Sequence, residues 1–113
     1  MSLADKQCVP CQGGMPPMTE IQAKVFHRQT PEWSLSENST RLERDFSFDD
    51  FVSAQGFVNM VGDLAEVEGH HPDISFGWGY ARITIYTHKI NGLHENDFVL
   101  AAKIDALGAG GSE

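Results

Sequence analysis

Residues 47–69, SFDDFVSAQGFVNMVGDLAEVEG, carry the strongest helical pattern in the chain. Phe51, Ala54, Val58, Val61 and Ala65 recur at spacings of three and four, flanked by Phe57 and Leu64, so one side of the helix is apolar. Ser47 and Asp50 form an S-x-x-D cap, and Asp49 and Asp50 complement the positive end of the helix. Gly56 and Gly62 lower the intrinsic propensity, so packing must hold the segment. Gly69 is a natural stop.

Paired strand patterns flank this helix. Before it, Trp33 and Leu35 alternate with Ser34 and Ser36, "ENST" (37–40) is a turn, and "RLERDFSF" (41–48) offers Leu42, Phe46 and Phe48 for a second strand. After it, "DISFGWGYARITIYTH" (73–88) reads as two strands turning near Gly77–Gly79. Ile83 and Ile85 point one way; Arg82, Thr84, Tyr86 and His88 point the other, with His88 at the strand end.

Two outer helices complete the order. Thr19 and Gln22 make a capping box for the first, with Ile21, Val25 and Phe26 as its apolar face and Pro31 as its end. "KINGL" (89–93) is a loop. The last helix runs from about Glu95 to Leu107, with Leu100, Ile104 and Leu107 as its stripe and Gly108 ending it. Helix, two strands, helix, two strands, helix predicts an α+β two-layer domain. Its sheet has four antiparallel strands, with the helices packed on one face, a ββαββα core plus an N-terminal helix. Residues 1–18 read as an irregular arm, 19–108 as the domain and 109–113 as a flexible tail.

Composition narrows the function classes. The chain has 113 residues, which favours one domain. Apolar content of 41%, with seven Phe and two Trp, marks a globular chain. A formal charge of −8 disfavours nucleic acid and anionic membrane as partners. No apolar run approaches a membrane span and no signal peptide is visible, so the cytoplasm is the expected location. Cys8 and Cys11 form a lone C-x-x-C in a Pro/Gly-rich arm, without the second pair that a structural zinc site needs. They are expected to be two free thiols.

The chemistry concentrates at element ends. Glu66 and His70 are four apart at the end of the central helix; His70 and His71 leave it in a loop stiffened by Pro72; His88 and Asp97 lie further on. Adjacent imidazoles resist being charged together, and a nearby carboxylate favours the charged form. A proton donor and acceptor can therefore coexist near neutral pH, as acid–base catalysis requires. The plainer reading makes His70 and His71 caps or surface residues, Asp97 a helix-dipole residue, and Trp33 and Trp78 sheet aromatics. A zinc site from Glu66, His70 and either His71 or His88 is the third reading, although no H-E-x-x-H is present.

Glu66, His70, His71, Pro72, Trp78, His88 and Asp97, at these spacings, resemble the signature of the pterin-4a-carbinolamine dehydratase family. The likeness extends to Trp33, "DFSFDDF" (45–51) and "THKINGLHENDFVLAAKID" (87–105), and covers about residues 19 to 107. The resemblance implies a two-layer α+β fold and a dimer or tetramer. It also implies dehydration of 4a-hydroxytetrahydropterin to quinonoid dihydropterin, which recycles the pterin after aromatic amino acid hydroxylases. Pterin is the substrate, and neither metal nor organic cofactor is implied. By position, His70 and His88 are the acid–base pair, and His71 with Pro72 and Trp78 holds the pterin. Glu66 tunes the histidines, Asp97 orients His88 or a ring substituent, and Trp33 walls the pocket. One departure is His94, where family members often carry a serine cap. Other members serve as dimerisation or assembly modules, or in molybdopterin systems, which makes a non-enzymatic binding role the alternative.

Overall fold

The computed structural model describes residues 3–8 and 16–111. The elements are α1 (Glu20–His27), β1 (Ser34–Ser36), β2 (Arg41–Ser47), α2 (Phe51–Glu68), β3 (Asp73–Gly77), β4 (Tyr80–Ile85) and α3 (Glu95–Gly111). Short 3-10 turns stand at Leu3–Asp5 and His88–Ile90. The four strands form one sheet in the order β1-β2-β4-β3, with every neighbouring pair antiparallel. This is the α+β architecture expected from the order of the elements.

Strand alternation separates the two faces of the sheet. Leu42 and Phe46 on β2 and Ala81, Ile83 and Ile85 on β4 are buried beneath the helices. Phe57 and Val61 of α2 and Phe98, Leu100 and Ile104 of α3 complete that core. The opposite face carries polar cross-strand partners, Glu43 beside Thr84 and Asp45 beside Arg82. Arg82 makes a two-pronged contact with Asp45, at 2.7 and 3.3 Å, and holds its carboxyl below the usual carboxylate range.

The helix boundaries follow from local chemistry. Thr19 and Gln22 close the expected capping box on α1. Asp50 caps α2 by accepting the Ser53 N–H at 2.8 Å. Ser47 takes no part in that cap, because it is the last residue of β2. Gly69 ends α2 at φ 66°, a left-handed conformation that glycine adopts without a Cβ clash.

Several expectations are corrected. Ile21 and Val25 are exposed; α1 buries Ala23 and stacks Phe26 on Phe98, at 5.4 Å between ring centroids. Of the expected face only Phe26 packs inward, beside the small and fully buried Ala23, which leaves Ile21 and Val25 turned to solvent. Phe51 is partly exposed and lies over Phe76 of the edge strand rather than in the core. Gly108 does not stop α3, which continues to Gly111. Glycine lowers helix propensity but, unless a left-handed turn is imposed, does not bar the helical region. Part of the N-terminal arm is ordered: Leu3 is buried in the core and residues 3–5 form a helical turn. Cys8 is a half-buried free thiol, whereas Cys11 lies outside the described residues.

Candidate active site

The end of α2, the turn after β4 and the start of α3 meet around one buried carboxylate. Asp97, in the first turn of α3, is fully buried. Its Oδ1 lies 2.5 Å from Nε2 of His70. Its Oδ2 accepts the Thr87 hydroxyl at 2.8 Å and the His94 N–H at 2.8 Å. A buried carboxylate is tolerable only when its lone pairs are used in this way. The left-handed turn at Gly69 delivers His70, itself almost wholly buried, to this position.

The pairing differs from the expected one. Asp97 orients His70, not His88. Four-residue spacing places Glu66 and His70 on one helix face only while the helix continues, and it ends at Glu68. Glu66 instead pairs with His71, at 2.6 Å, in an exposed contact. His88 begins the 3-10 turn beyond β4, because the strand closes at Ile85. It lies 3.5 Å from Asp73 and packs on the Tyr86 ring at 4.1 Å between centroids. Each of the three histidines thus has its own carboxylate. Thr87 joins the two halves: it touches Asp97 through its hydroxyl and precedes His88 in the chain.

Trp33 does not wall a pocket within this chain. It is 1% exposed, sits in the core and donates its indole N–H to Asp105 at 2.8 Å. It stands between α1 and β1, with its ring edge-on to Phe46 at 6.3 Å between centroids. Trp78, at the β3–β4 turn, is 71% exposed, and Pro72 is half-buried between His71 and β3. The metal ligands considered from sequence are not assembled. Among the described residues, no three His, Cys, Asp or Glu side chains are grouped to hold an ion.

His94 resolves the atypical cap. Its Nδ1 accepts the Asn96 N–H at 3.1 Å while Asp97 accepts the His94 N–H. This is a reciprocal cap in which an imidazole lone pair replaces the usual hydroxyl.

Sequence reasoning missed Thr87 and Asp73. Both were legible only as polar neighbours of candidate residues, one before His88 and one two positions after His71. Beside His88 the open sheet face holds a cleft of about 360 Å³, lined by Arg41, Glu43, Asp73, Thr84 and Tyr86 among others. Arg41 lies over the Tyr86 ring at 3.5 Å.

A small α+β sheet-and-helix domain in which three histidines each stand beside a carboxylate is the class of protein defined by this geometry. A family model described as Pterin 4 alpha carbinolamine dehydratase matches residues 16–107. The chain belongs to the pterin-4-alpha-carbinolamine dehydratase family. A relative from Halorhodospira halophila, provisionally named for that activity, is 59% identical over 109 residues, covering 96% of this chain and all of its own. One from Methylococcus capsulatus, named in the same way, is 55% identical over 108 residues, covering 96% and 95%. Among solved structures, a transcriptional coactivator/pterin dehydratase from Brucella melitensis superposes with TM-score 0.74 at 30% identity. It covers 80% of this chain and 97% of its own. A pterin dehydratase-like protein described as a RuBisCO assembly factor in the alpha-carboxysome gives TM-score 0.58 at 28% identity, covering 67% and 88%. Among the described residues, no helix is long and apolar enough to cross a membrane.

Proposed function

We propose that the chain dehydrates 4a-hydroxytetrahydropterin to quinonoid dihydropterin by histidine acid–base catalysis, without metal or organic cofactor. The observation that carries this reading is the buried His70–Asp97 pair. With Nε2 turned to the carboxylate, its proton is assigned there, and Nδ1 is the ring atom left to take a proton. The Asp97 anion then stabilises the imidazolium as it forms, the same logic by which a buried carboxylate supports a catalytic histidine in other enzymes.

The reaction needs one proton removed from the pterin ring and one delivered to the departing 4a hydroxyl, so that water leaves. His70 takes the first role and His88, exposed beside Asp73, the second. Acid assistance to a hydroxide leaving group contributes ~100- to 10,000-fold. His71, exposed and held by Glu66, with Pro72 and Trp78, contributes to holding the pterin. The cleft beside His88 has the volume of a small-molecule site. The pterin would come from aromatic amino acid hydroxylation in the cytoplasm, and the working form would be a homodimer or homotetramer.

The test is the rate of dehydration of freshly generated 4a-hydroxytetrahydropterin. Acceleration over the uncatalysed background, lost in His70→Ala and His88→Ala, is expected; a pure, folded protein without acceleration overturns the reading. A second reading, a non-enzymatic assembly module, draws on the open apolar residues Val52, Met60 and Val67 of α2 and on the assembly-factor neighbour. Retention of a defined partner by the His70→Ala variant would favour it.

A further inference from the structure

The segment Leu3–Cys8 fastens the two helix ends that carry the His70–Asp97 pair. Leu3 is anchored in the core, and Lys6 pairs with Glu95 at the start of α3 at 2.6 Å. Cys8 then reaches both helices. Its N–H donates to Oε1 of Glu68, the last residue of α2, at 2.9 Å. Its thiol donates to the carbonyl of Asn96, the residue before Asp97, at 3.6 Å. Burial, then the Glu68 charge, pushes the thiol up to about 12, so it remains a donor.

Glu68 is the centre of this arrangement. Its side chain is 8% exposed, and its Oε2 lies 3.6 Å from Nζ of Lys103 on α3. A carboxylate so placed adds little net stability over an apolar side chain of similar size. What it adds is geometry: one group ties α2 to the N-terminal segment and to α3 at once. Two residues later His70 must meet Asp97 at 2.5 Å, a separation with no slack.

The geometry points to Glu68 as a positioning residue: through the Cys8 N–H and Lys103 it holds the end of α2 against α3 and so sets His70 on Asp97. Its kinetic consequence rests on the dehydratase reading; its structural consequence does not.

The experiment compares Glu68→Ala, Glu68→Gln and Cys8→Pro, the last deleting the N–H that Glu68 accepts. In Glu68→Ala, kcat is expected to fall about tenfold or more while KM stays within about twofold, since misplacement acts on the chemical step. Glu68→Gln keeps a carbonyl acceptor within reach of the Cys8 N–H and the Lys103 ammonium and restores most of the rate. Cys8→Pro reproduces the loss, and the Glu68→Ala/Cys8→Pro double variant is no worse than either single one.

By NMR, the His70 ring proton facing Asp97 is expected in the wild type and Glu68→Gln and lost to exchange in Glu68→Ala. An unchanged kcat and ring proton in Glu68→Ala overturns the proposal, as does equal loss in the Ala and Gln variants. A wild type without activity removes the dehydratase reading, and the ring proton alone then decides. If Glu68→Ala does not fold, retention of the ring proton in Cys8→Pro overturns the proposal and its loss supports it.

Discussion

Asp97 holds the ring of His70 at 2.5 Å through one carboxylate oxygen and the hydroxyl of Thr87 through the other. His88 follows Thr87 directly, so the carboxylate that holds one member of the proposed acid–base pair also holds the residue before the other. His88 itself is bound not to Asp97 but to Asp73.

This arrangement ranks the variants. Asp97→Asn keeps an acceptor for Thr87 but removes the charge that supports His70. Its kcat is expected to fall at least ~100-fold. His71→Ala, which breaks the exposed contact with Glu66, should raise KM more than it lowers kcat. Initial rates of pterin dehydration check both. Full activity in Asp97→Asn would remove His70 from the mechanism.

The two tryptophans should separate cleanly. Trp33→Phe leaves the partly buried Asp105 without its indole donor and should cost about 1–3 kcal/mol in denaturant unfolding, with KM unchanged. Trp78→Ala, at an exposed turn, should alter stability by no more than about 0.5 kcal/mol and raise KM, as its proposed contact with the pterin requires. The opposite assignment of the two effects would contradict the positions of these side chains.

Two glycines test packing. A Cβ at Gly92 would stand 2.5 Å from Cβ of Pro17, beside the Met18 N–H bond to Leu93. Gly92→Ala should therefore destabilise by about 1–3 kcal/mol. Gly62 lies inside α2 with nothing within 4 Å of an added Cβ, so Gly62→Ala should stabilise by up to ~1 kcal/mol. Chemical denaturation of the two variants side by side measures both signs.

Cys8 should be a slow thiol. In a Cys11→Ser background, alkylation at pH 8 should be much slower for the folded protein than in denaturant, because the folded thiol is pushed up to about 12. The linkage has a definite sign. The raised value favours the protonated thiol in the fold, so its contribution to stability is complete below the ordinary value of 9.0. It is then lost as pH rises from 9.0 toward 12. Unfolding midpoints from pH 8 upward, compared with Cys8→Ala in the same background, isolate that slope.

The order of elements, the Thr19–Gln22 box, the Gly69 stop and the alternation of β4 were all legible in the chain, because each depends on residues within a few positions of one another. The family signature from Glu66 to Asp97 was legible for the same reason: its spacing is a property of the chain. The partners within the signature were not. Helical spacing linked Glu66 to His70, but the left-handed turn at Gly69 re-aimed both histidines, giving His71 to Glu66 and His70 to Asp97. The face of α1, the burial of Trp33 and the fastening of Cys8 to Glu68 also waited on the tertiary structure. They pair residues up to 72 positions apart, and a contact over that distance is set by how helices and sheet close on one core. The sequence by itself determined which groups would be present at the site; only the packed structure decided which imidazole each carboxylate would hold.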